Sequence, residues 1–449
     1  MPDPSPRQRG WEVKLVLWMV RHPVMVAVPA VIVIAGQRWG WSAVAVTAAG
    51  LAVVTGCWYR GHPDTFDQYA GPYLRAWCRR WSSYIGPRWR HALRACELSI
   101  THRKTREEKF PRITRIRSYS TTVDTLHLRI VAGQQEKHFE AKSAELAHAL
   151  RVQRVSVEVV KPGVIGLHIQ RREPFTKIIP APDMPQQSST VDLKRVYVGE
   201  TEYGQEWRIP ILGGHLFVAG ATGAGKNSIP LALMRSLAPL IRDGLVRLWV
   251  CDPKLFEFAS ATPICYRYAD TAQSCADLIA DYLAEMQAVQ RDFADRRIRR
   301  LSVSRETPIN VLIVDEMAAL MAYGDYAIAK QVRGHLALVG SQGRASGHTM
   351  IGMVQEPTKD TISIRDLFTW RICLRLTASN HVDGVLGEDS RARGARADEI
   401  PDLAETAGIG YVVRPRSRLP IRVRAAYVDD THIAELVRFI TESPQWTHQ

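Results

Sequence analysis

The run Gly-Ala-Thr-Gly-Ala-Gly-Lys-Asn-Ser at 220–228 is the part of this chain best suited to chemistry. Glycines at this spacing leave backbone N–H groups free to curl around phosphate oxygens, and the lysine after them reaches the β- and γ-phosphates of a nucleotide. An apolar run at 216–219 precedes it as a strand, and a helical pattern follows, whose N-terminus adds positive dipole. Gly220, Ala221, Thr222, Gly223, Ala224, Gly225, Lys226, Asn227 and Ser228 are therefore expected to hold the phosphates of a nucleotide, with Lys226 also serving in catalysis. One position departs from the pattern. A Ser or Thr hydroxyl normally follows the lysine and ligates Mg2+, and here the residue is Asn227. Its carboxamide oxygen can ligate the metal, with Ser228 adjacent. Otherwise Asp315 and water carry more of that load.

A second apolar run, at 310–314, reads as a buried strand with Asp315 and Glu316 at its C-terminal end. Open α/β sheets place ligands at that edge. An aspartate there holds Mg2+, usually through water, and the adjacent glutamate polarises the attacking water. The plainer reading is an exposed acidic pair after a strand. A strand at 349–354 ends in Gln355, which either senses the γ-phosphate or is an ordinary loop residue. A strand at 246–251 ends in Asp252-Pro253-Lys254, with Glu257 close behind. Phosphoryl-transfer motors often take an arginine from a neighbouring subunit, and Arg344, Arg371 and Arg375 are the candidates. Arg296, Arg297, Arg299 and Arg300 form a cluster that either tracks a phosphate backbone or is a solvated helix end.

These residues need a frame. From about residue 196 strands and helices alternate, which implies an α/β architecture, a mostly parallel sheet with helices on both faces. Before it, 111–176 reads as a small β-α-β-β unit. Leu126, Leu128 and Ile130 alternate, and 134–152 is helical with Phe139, Leu146, Ala147 and Leu150 on its apolar face. Val155, Val157 and Val159 alternate, Lys161-Pro162-Gly163 turns the chain, and Ile165, Leu167 and Ile169 alternate again. Residues 178–192 are rich in Pro, Ser and Gln and read as a linker.

The length of 449 residues allows roughly two or three domains. A net charge of +14 makes a polyanionic partner plausible. Much of the excess lies at 60–117, where 14 Lys and Arg face 5 Asp and Glu. Seven cysteines without a C-x-x-C pair indicate neither a disulfide framework nor a zinc site. Two apolar runs, 23–36 and 41–58, read as a transmembrane helical hairpin with Trp39, Trp41, Trp58 and Tyr59 at the interfaces. Arg7, Arg9, Lys14 and Arg21 precede it and many more arginines follow, so the positive-inside rule places both ends in the cytoplasm. A cleaved signal peptide is the rival, disfavoured by the second run and by the absence of a clear A-x-A site. Beyond the hairpin, Trp77, Trp81 and Tyr84 fall at i, i+4 and i+7 among Arg75, Arg79, Arg80, Arg88 and Arg90. Such a helix lies on anionic lipid, faces DNA, or packs against the protein.

Together, VAGATGAGK (218–226), CDPKLFE (251–257), VLIVDE (311–316), GRASGH (343–348), the Gln355-Glu356-Pro357 turn and TWRICLRL (369–376) resemble the FtsK/SpoIIIE family of membrane-anchored, RecA-like DNA translocases. The resemblance covers roughly 195–440. It implies a RecA-like P-loop ATPase core in which 220–227 bind ATP, Asp315 and Glu316 serve Mg2+ and water, and Gln355 is the sensor. It also implies a homohexameric ring around double-stranded DNA. Glu356 stands where the family often has Arg. The residues beyond the motor leave no room for the DNA-reading winged helix of chromosome-segregation members, and one hairpin replaces a larger membrane domain. The run VLGEDSRARGARADEIP (385–401) is similar to transfer proteins of actinobacterial conjugative plasmids and integrative elements. The expected division is 1–62 tail and hairpin, 63–110 basic juxtamembrane segment, 111–177 small α/β domain, 178–194 linker and 195–445 motor. The expected function is a cell-membrane DNA translocase for mobile-element transfer with its motor in the cytoplasm. The alternatives are chromosome partitioning, a type VII-like protein secretion ATPase, and a non-hydrolysing nucleotide-binding membrane scaffold.

Overall fold

The computed structural model describes residues 23–101, 107–255, 257–322, 325–357, 364–413, 418–443 and 446. Arg7, Arg9, Lys14 and Arg21 lie outside them. The chain divides into two units, Met1–Leu74 and Arg75–Gln449.

In the first unit, helix Pro23–Trp39 is followed by helix Trp41–Gly61, with Gly40 between them at φ +87°. The second helix has 21 residues, a mean hydropathy of 1.5 and no buried side chain, and is long and apolar enough to cross a membrane. The first has 17 described residues and begins where the described residues begin. Among the described residues one helix thus meets the length on its own, and the second span of the expected hairpin is not shown.

The division falls within helix Gly71–Arg79, and the second unit runs on from Arg75 into a π-helical turn, Arg80–Tyr84, and then helix Pro87–Ala95. Strands β1 (Ile100–Thr101) and β2 (Glu108–Lys109) pair as a short ribbon. Then come β3 (Arg112–Arg117), β4 (Val123–Arg129), helices Glu136–Ala141 and Ser143–Leu150, β5 (Arg154–Lys161) and β6 (Val164–Gln170). These four strands form an antiparallel sheet in the order β3-β4-β6-β5. The unit is therefore ββααββ and not β-α-β-β. Strand β3 escapes the sequence pattern because its two isoleucines, Ile113 and Ile116, stand three residues apart, and a register shift between Ile113 and Arg115 lets both pack against the core. The expected single helix breaks at Lys142, whose ψ of 11° is not helical.

One core joins this sheet to the basic segment before it. Tyr84, Trp89, Leu93 and Leu98 pack with Leu126, Leu128, Phe139 and Leu167. The boundary expected at 110/111 crosses that core and is not seen in the packing. The stripe Trp77-Trp81-Tyr84 also fails as one face, because the π turn carries Tyr84 inward while both tryptophans stay exposed. The Tyr84 hydroxyl donates to Asp124 at 2.6 Å; Arg171 pairs with the same fully buried carboxylate at 2.7 Å, and Arg79 pairs with it too. Asp124→Ala leaves two guanidiniums without their anion, and is expected to cost this unit about 3–5 kcal/mol. The urea midpoint of its transition measures this, and a shift below about 1 kcal/mol would mean water replaces the carboxylate.

The remaining strands make a single ten-stranded sheet. They are β7 (Val196–Thr201), β8 (Glu206–Ile209), β9 (Leu216–Ala219), β10 (Val246–Cys251), β11 (Arg267–Ala269), β12 (Ile309–Val314), β13 (His348–Val354), β14 (Trp370–Leu374), β15 (Ile409–Val413) and β16 (Pro420–Ala425), in the order β11-β10-β12-β13-β9-β14-β15-β16-β7-β8. From β11 to β14 all neighbours are parallel, and from β14 to β8 all are antiparallel. Strands β9 and β12 are buried on both faces, which is why they read as unbroken apolar runs. Their C-terminal ends share one edge, with β13 between β9 and β12.

The stretch expected as a linker is strapped onto this sheet. Tyr427 N–H donates to Ile179 O at 2.9 Å, Arg235 Nε to Pro182 O at 3.0 Å, and Ser188 Oγ to Asp243 at 2.5 Å. Its composition excludes regular structure but not packing. The small sheet docks beside it. Arg154 donates to Gly394 O at 2.6 Å and to the Tyr411 hydroxyl at 2.8 Å, and Tyr203 OH meets His168 Nδ1 at 2.9 Å. Gly394 has φ +116°, and a Cβ there would lie 2.7 Å from Ser156 Oγ.

His215 and His348 are fully buried at the opposite, N-terminal edge of β9 and β13. Burial holds both imidazoles down near 4, aided at His215 by Arg344. Below pH 6.5 the unfolded chain takes up protons that the folded chain refuses, so stability falls as pH drops from about 6.5 to 4, by at most roughly 3 kcal/mol per histidine. Thermal melts across that range should show the loss, and replacing both residues by Gln should flatten it. An unchanged slope would assign the acid sensitivity to other groups.

Candidate functional site

Strand β9 ends at Ala219 and the chain turns through 220–227 into helix Ser228–Ser236. Gly223 and Gly225 hold φ +74° and +81°, the left-handed region that a side chain disfavours. At Gly225 there is also no space: a Cβ would sit 2.6 Å from the Gly408 nitrogen. That Gly408 N–H donates to Ala224 O at 2.9 Å, so the loop is tied to the segment before β15. Lys226 is buried and donates to the loop's own carbonyls, Gly220 O at 2.7 Å and Ala221 O at 3.3 Å. Burial lowers its ammonium to about 8, against the opposing pull of Glu316 and Asp315.

Asp315 and Glu316 leave the end of β12 one strand beyond β13. Asp315 N–H donates to Cys251 O at 3.0 Å, which sets its side chain beside Asp252 at the end of β10. Burial, then the Asp252 charge, raise the Asp315 carboxyl to about 7, with Lys254 pulling the other way. Glu316 caps helix Met317–Met321. Its Oε1 accepts from Ala318 N–H at 3.3 Å and Gln355 N–H at 3.4 Å, and its Oε2 pairs with Lys254 Nζ at 3.4 Å. Three strand ends therefore orient this one carboxylate.

A cleft of ≈ 690 Å³ opens at this edge. Thr222, Gly223, Gly225, Lys226, Asn227 and Ser228 line one side, Lys254, Glu257, Asp315 and Gln355 another, and Tyr427, Val428, Asp430 and Ile433 a third. A neighbouring cleft of ≈ 410 Å³ shares Thr222, Lys254 and Gln355 and adds Glu316, Glu356, Arg375 and Asp402. The volume suits a nucleotide, with cationic and N–H groups on one wall and carboxylates facing them. Among the described residues no three His, Cys, Asp or Glu side chains form a metal cage. Two buried oxygens at the site, Asn227 Oδ1 and Asp252 Oδ1, have no hydrogen-bond partner.

The three arginines separate. Arg375 lies against the subunit's own phosphate loop, donating to Thr222 O at 2.5 Å and pairing with Asp402 at 2.7 Å. Arg344, exposed in the turn before β13, and Arg371, near the start of β14 and paired with Asp366 at 3.6 Å, sit toward the opposite sheet edge. Asp252, Asp402 and Gly408 are site residues that sequence reasoning gave no role. The Cys251–Glu257 motif marked the first by position, but only the pairing of Cys251 with Val314 places it beside Asp315.

A family model for FtsK/SpoIIIE proteins matches residues 181–413, and one for the actinomycete conjugal transfer protein N-terminal domain matches 77–171. The DNA translocase FtsK of Lactiplantibacillus plantarum is 23% identical over 323 residues, 66% of this chain and 38% of that protein. The DNA translocase FtsK of Pseudomonas aeruginosa is 24% identical over 373 residues, 70% of this chain and 43% of that protein. The chain thus spans about two fifths of the length of these curated relatives. Among solved structures, the pCW3 conjugation coupling protein TcpA, in monomer form with ATPγS, aligns over 78% of this chain and 98% of its own, with a TM-score of 0.50 and 18% identity. That likeness is one of fold.

Proposed function

Since this chain belongs to the FtsK/SpoIIIE family, we propose that it is an ATP-driven, membrane-anchored translocase of double-stranded DNA that serves transfer of a mobile element. The observation that carries the reading is the fusion in one chain of a conjugal-transfer N-terminal domain, 77–171, to an FtsK-type motor. The sheet order, with one strand between the phosphate-loop strand and the acidic strand, supports a RecA-like core. The 21-residue apolar helix supports the anchor, with Pro23–Trp39 as a shorter partner and the motor in the cytoplasm. A homohexamer ringed around DNA is the assembly the family membership suggests, with Arg344 or Arg371 as the arginine supplied in trans; Arg375 is engaged in its own subunit.

In this reading ATP lies in the cleft with its phosphates in the Gly220–Ser228 loop. Lys226 turns from the Gly220 carbonyl to the phosphates, where its charge offsets the charge of the transition state. Glu316, held by two N–H donors and Lys254, takes the proton of the attacking water. Gln355 lines the cleft and is the residue that would sense the γ-phosphate or orient that water. The orphaned Asn227 oxygen and the Asp315 carboxylate fit Mg2+, Asp315 through water. When bound, the ion neutralises phosphate charge.

The test is steady-state ATPase of the full chain in nanodiscs with and without double-stranded DNA, beside Lys226→Ala. Stimulation that vanishes in the variant is expected. Hydrolysis that ignores DNA in a folded, oligomeric preparation would overturn the DNA reading.

A further inference from the structure

We infer that the outer face of the helix Gly71–Arg79 and of the turn after it is a bilayer-surface contact, an aromatic stripe seated among lipid headgroups; this rests on the membrane anchoring proposed above. Trp77 and Trp81 stand four residues apart and are exposed by 63% and 47%, and the extended residue after the turn, Ile85, is exposed by 38%. Large apolar side chains repeated on one helical face cover a partner, whereas isolated ones need no explanation. The inward face is already committed. Arg75 donates to Tyr119 O at 3.1 Å, Arg79 to Thr121 O at 2.5 Å, and Tyr84 to Asp124. The outer face has no such bonds among those residues.

Three observations choose lipid as the occupant. Trp and Tyr pair an apolar ring with a polar edge, which suits a headgroup layer better than a dry protein interface. The exposed Arg88 and Arg90 follow the stripe, in a stretch whose net charge is +9 over 60–117, so the surface complements anionic headgroups. The apolar helix ends at Gly61, sixteen residues before Trp77, so the stripe follows the proposed anchor closely along the chain.

The full chain in nanodiscs of phosphatidylcholine and phosphatidylglycerol, with acyl chains brominated near the headgroup, tests this. Emission of the wild type minus that of Trp77→Phe/Trp81→Phe isolates two of twelve tryptophans. That difference is expected to be quenched by brominated lipid. A chain that stays in the disc with an unquenched difference emission would overturn the stripe and leave the anchor standing. A chain that leaves the disc would overturn both. Unquenched emission that shifts red on dilution would assign the stripe to a second copy of the chain.

Discussion

Glu316→Gln is expected to lower ATP turnover by about 10²- to 10⁴-fold, the range for removing a positioned general base, while nucleotide still binds. The amide keeps the acceptor that Ala318 N–H and Gln355 N–H use, so the turn after β12 should hold its shape. The ion pair to Lys254 is lost, but that lysine is 41% exposed and water replaces the contact at little cost. Single-turnover hydrolysis and equilibrium binding of a labelled nucleotide separate the two effects. Wild-type turnover in Glu316→Gln would remove this carboxylate from the chemistry and shift attention to Asp315.

Gly225→Ala should be the most damaging small substitution in the loop, and Gly223→Ala far milder. Both positions have positive φ, which costs an alanine about 1–2 kcal/mol. At Gly223 the nearest atom to an added Cβ is a guanidinium nitrogen of Arg375 at 3.7 Å, an ordinary contact. At Gly225 it is backbone, the Gly408 nitrogen at 2.6 Å, so the loop or the chain before β15 must move and the Gly408–Ala224 hydrogen bond breaks. A displacement of about 1 Å at a reacting centre costs on the order of 100-fold. Turnover of Gly225→Ala should fall by about that factor, with a lower melting temperature, and turnover of Gly223→Ala much less. Equal losses would show that φ strain, not the contact with Gly408, decides.

What the sequence made legible was local. Nine residues with three glycines, a lysine and flanking periodicity are a self-contained turn, and Asp315-Glu316 announces itself as charge at the end of an apolar strand. The structure brings Lys226, Asn227, Asp315 and Gln355 to one cleft because the three strands before them, β9, β12 and β13, end at the same edge. What stayed hidden was set by partners distant in the chain. Asp252 meets Asp315 only through strand register. Strand β3 needed a bulge to use its two isoleucines. Tyr84 left the aromatic stripe because a π turn rotated it onto Asp124, and Ile85 took its place at a spacing of four. The strap at 178–192 carries no periodic pattern, and its attachment depends on Arg235 and Tyr427, far along the chain. Arg375 looked interchangeable with Arg371 until Asp402 and Thr222 claimed it.

The contact between Arg154, Gly394 and Tyr411 bears on how such proteins can be recombined. The run from Gly394 to Gly408 touches the small sheet at one end and the phosphate loop at the other, through Asp402 with Arg375 and through Gly408 with Ala224. The two folds are thus not beads on a string. A chimera that exchanges 77–171 for a relative's segment keeps its register only if 394–411 travels with it, because the donor's replacement for Arg154 must find a carbonyl and a hydroxyl where Gly394 and Tyr411 now offer them. Lineages of this architecture should inherit the two pieces as a matched set, though 200 residues and more separate them in the gene.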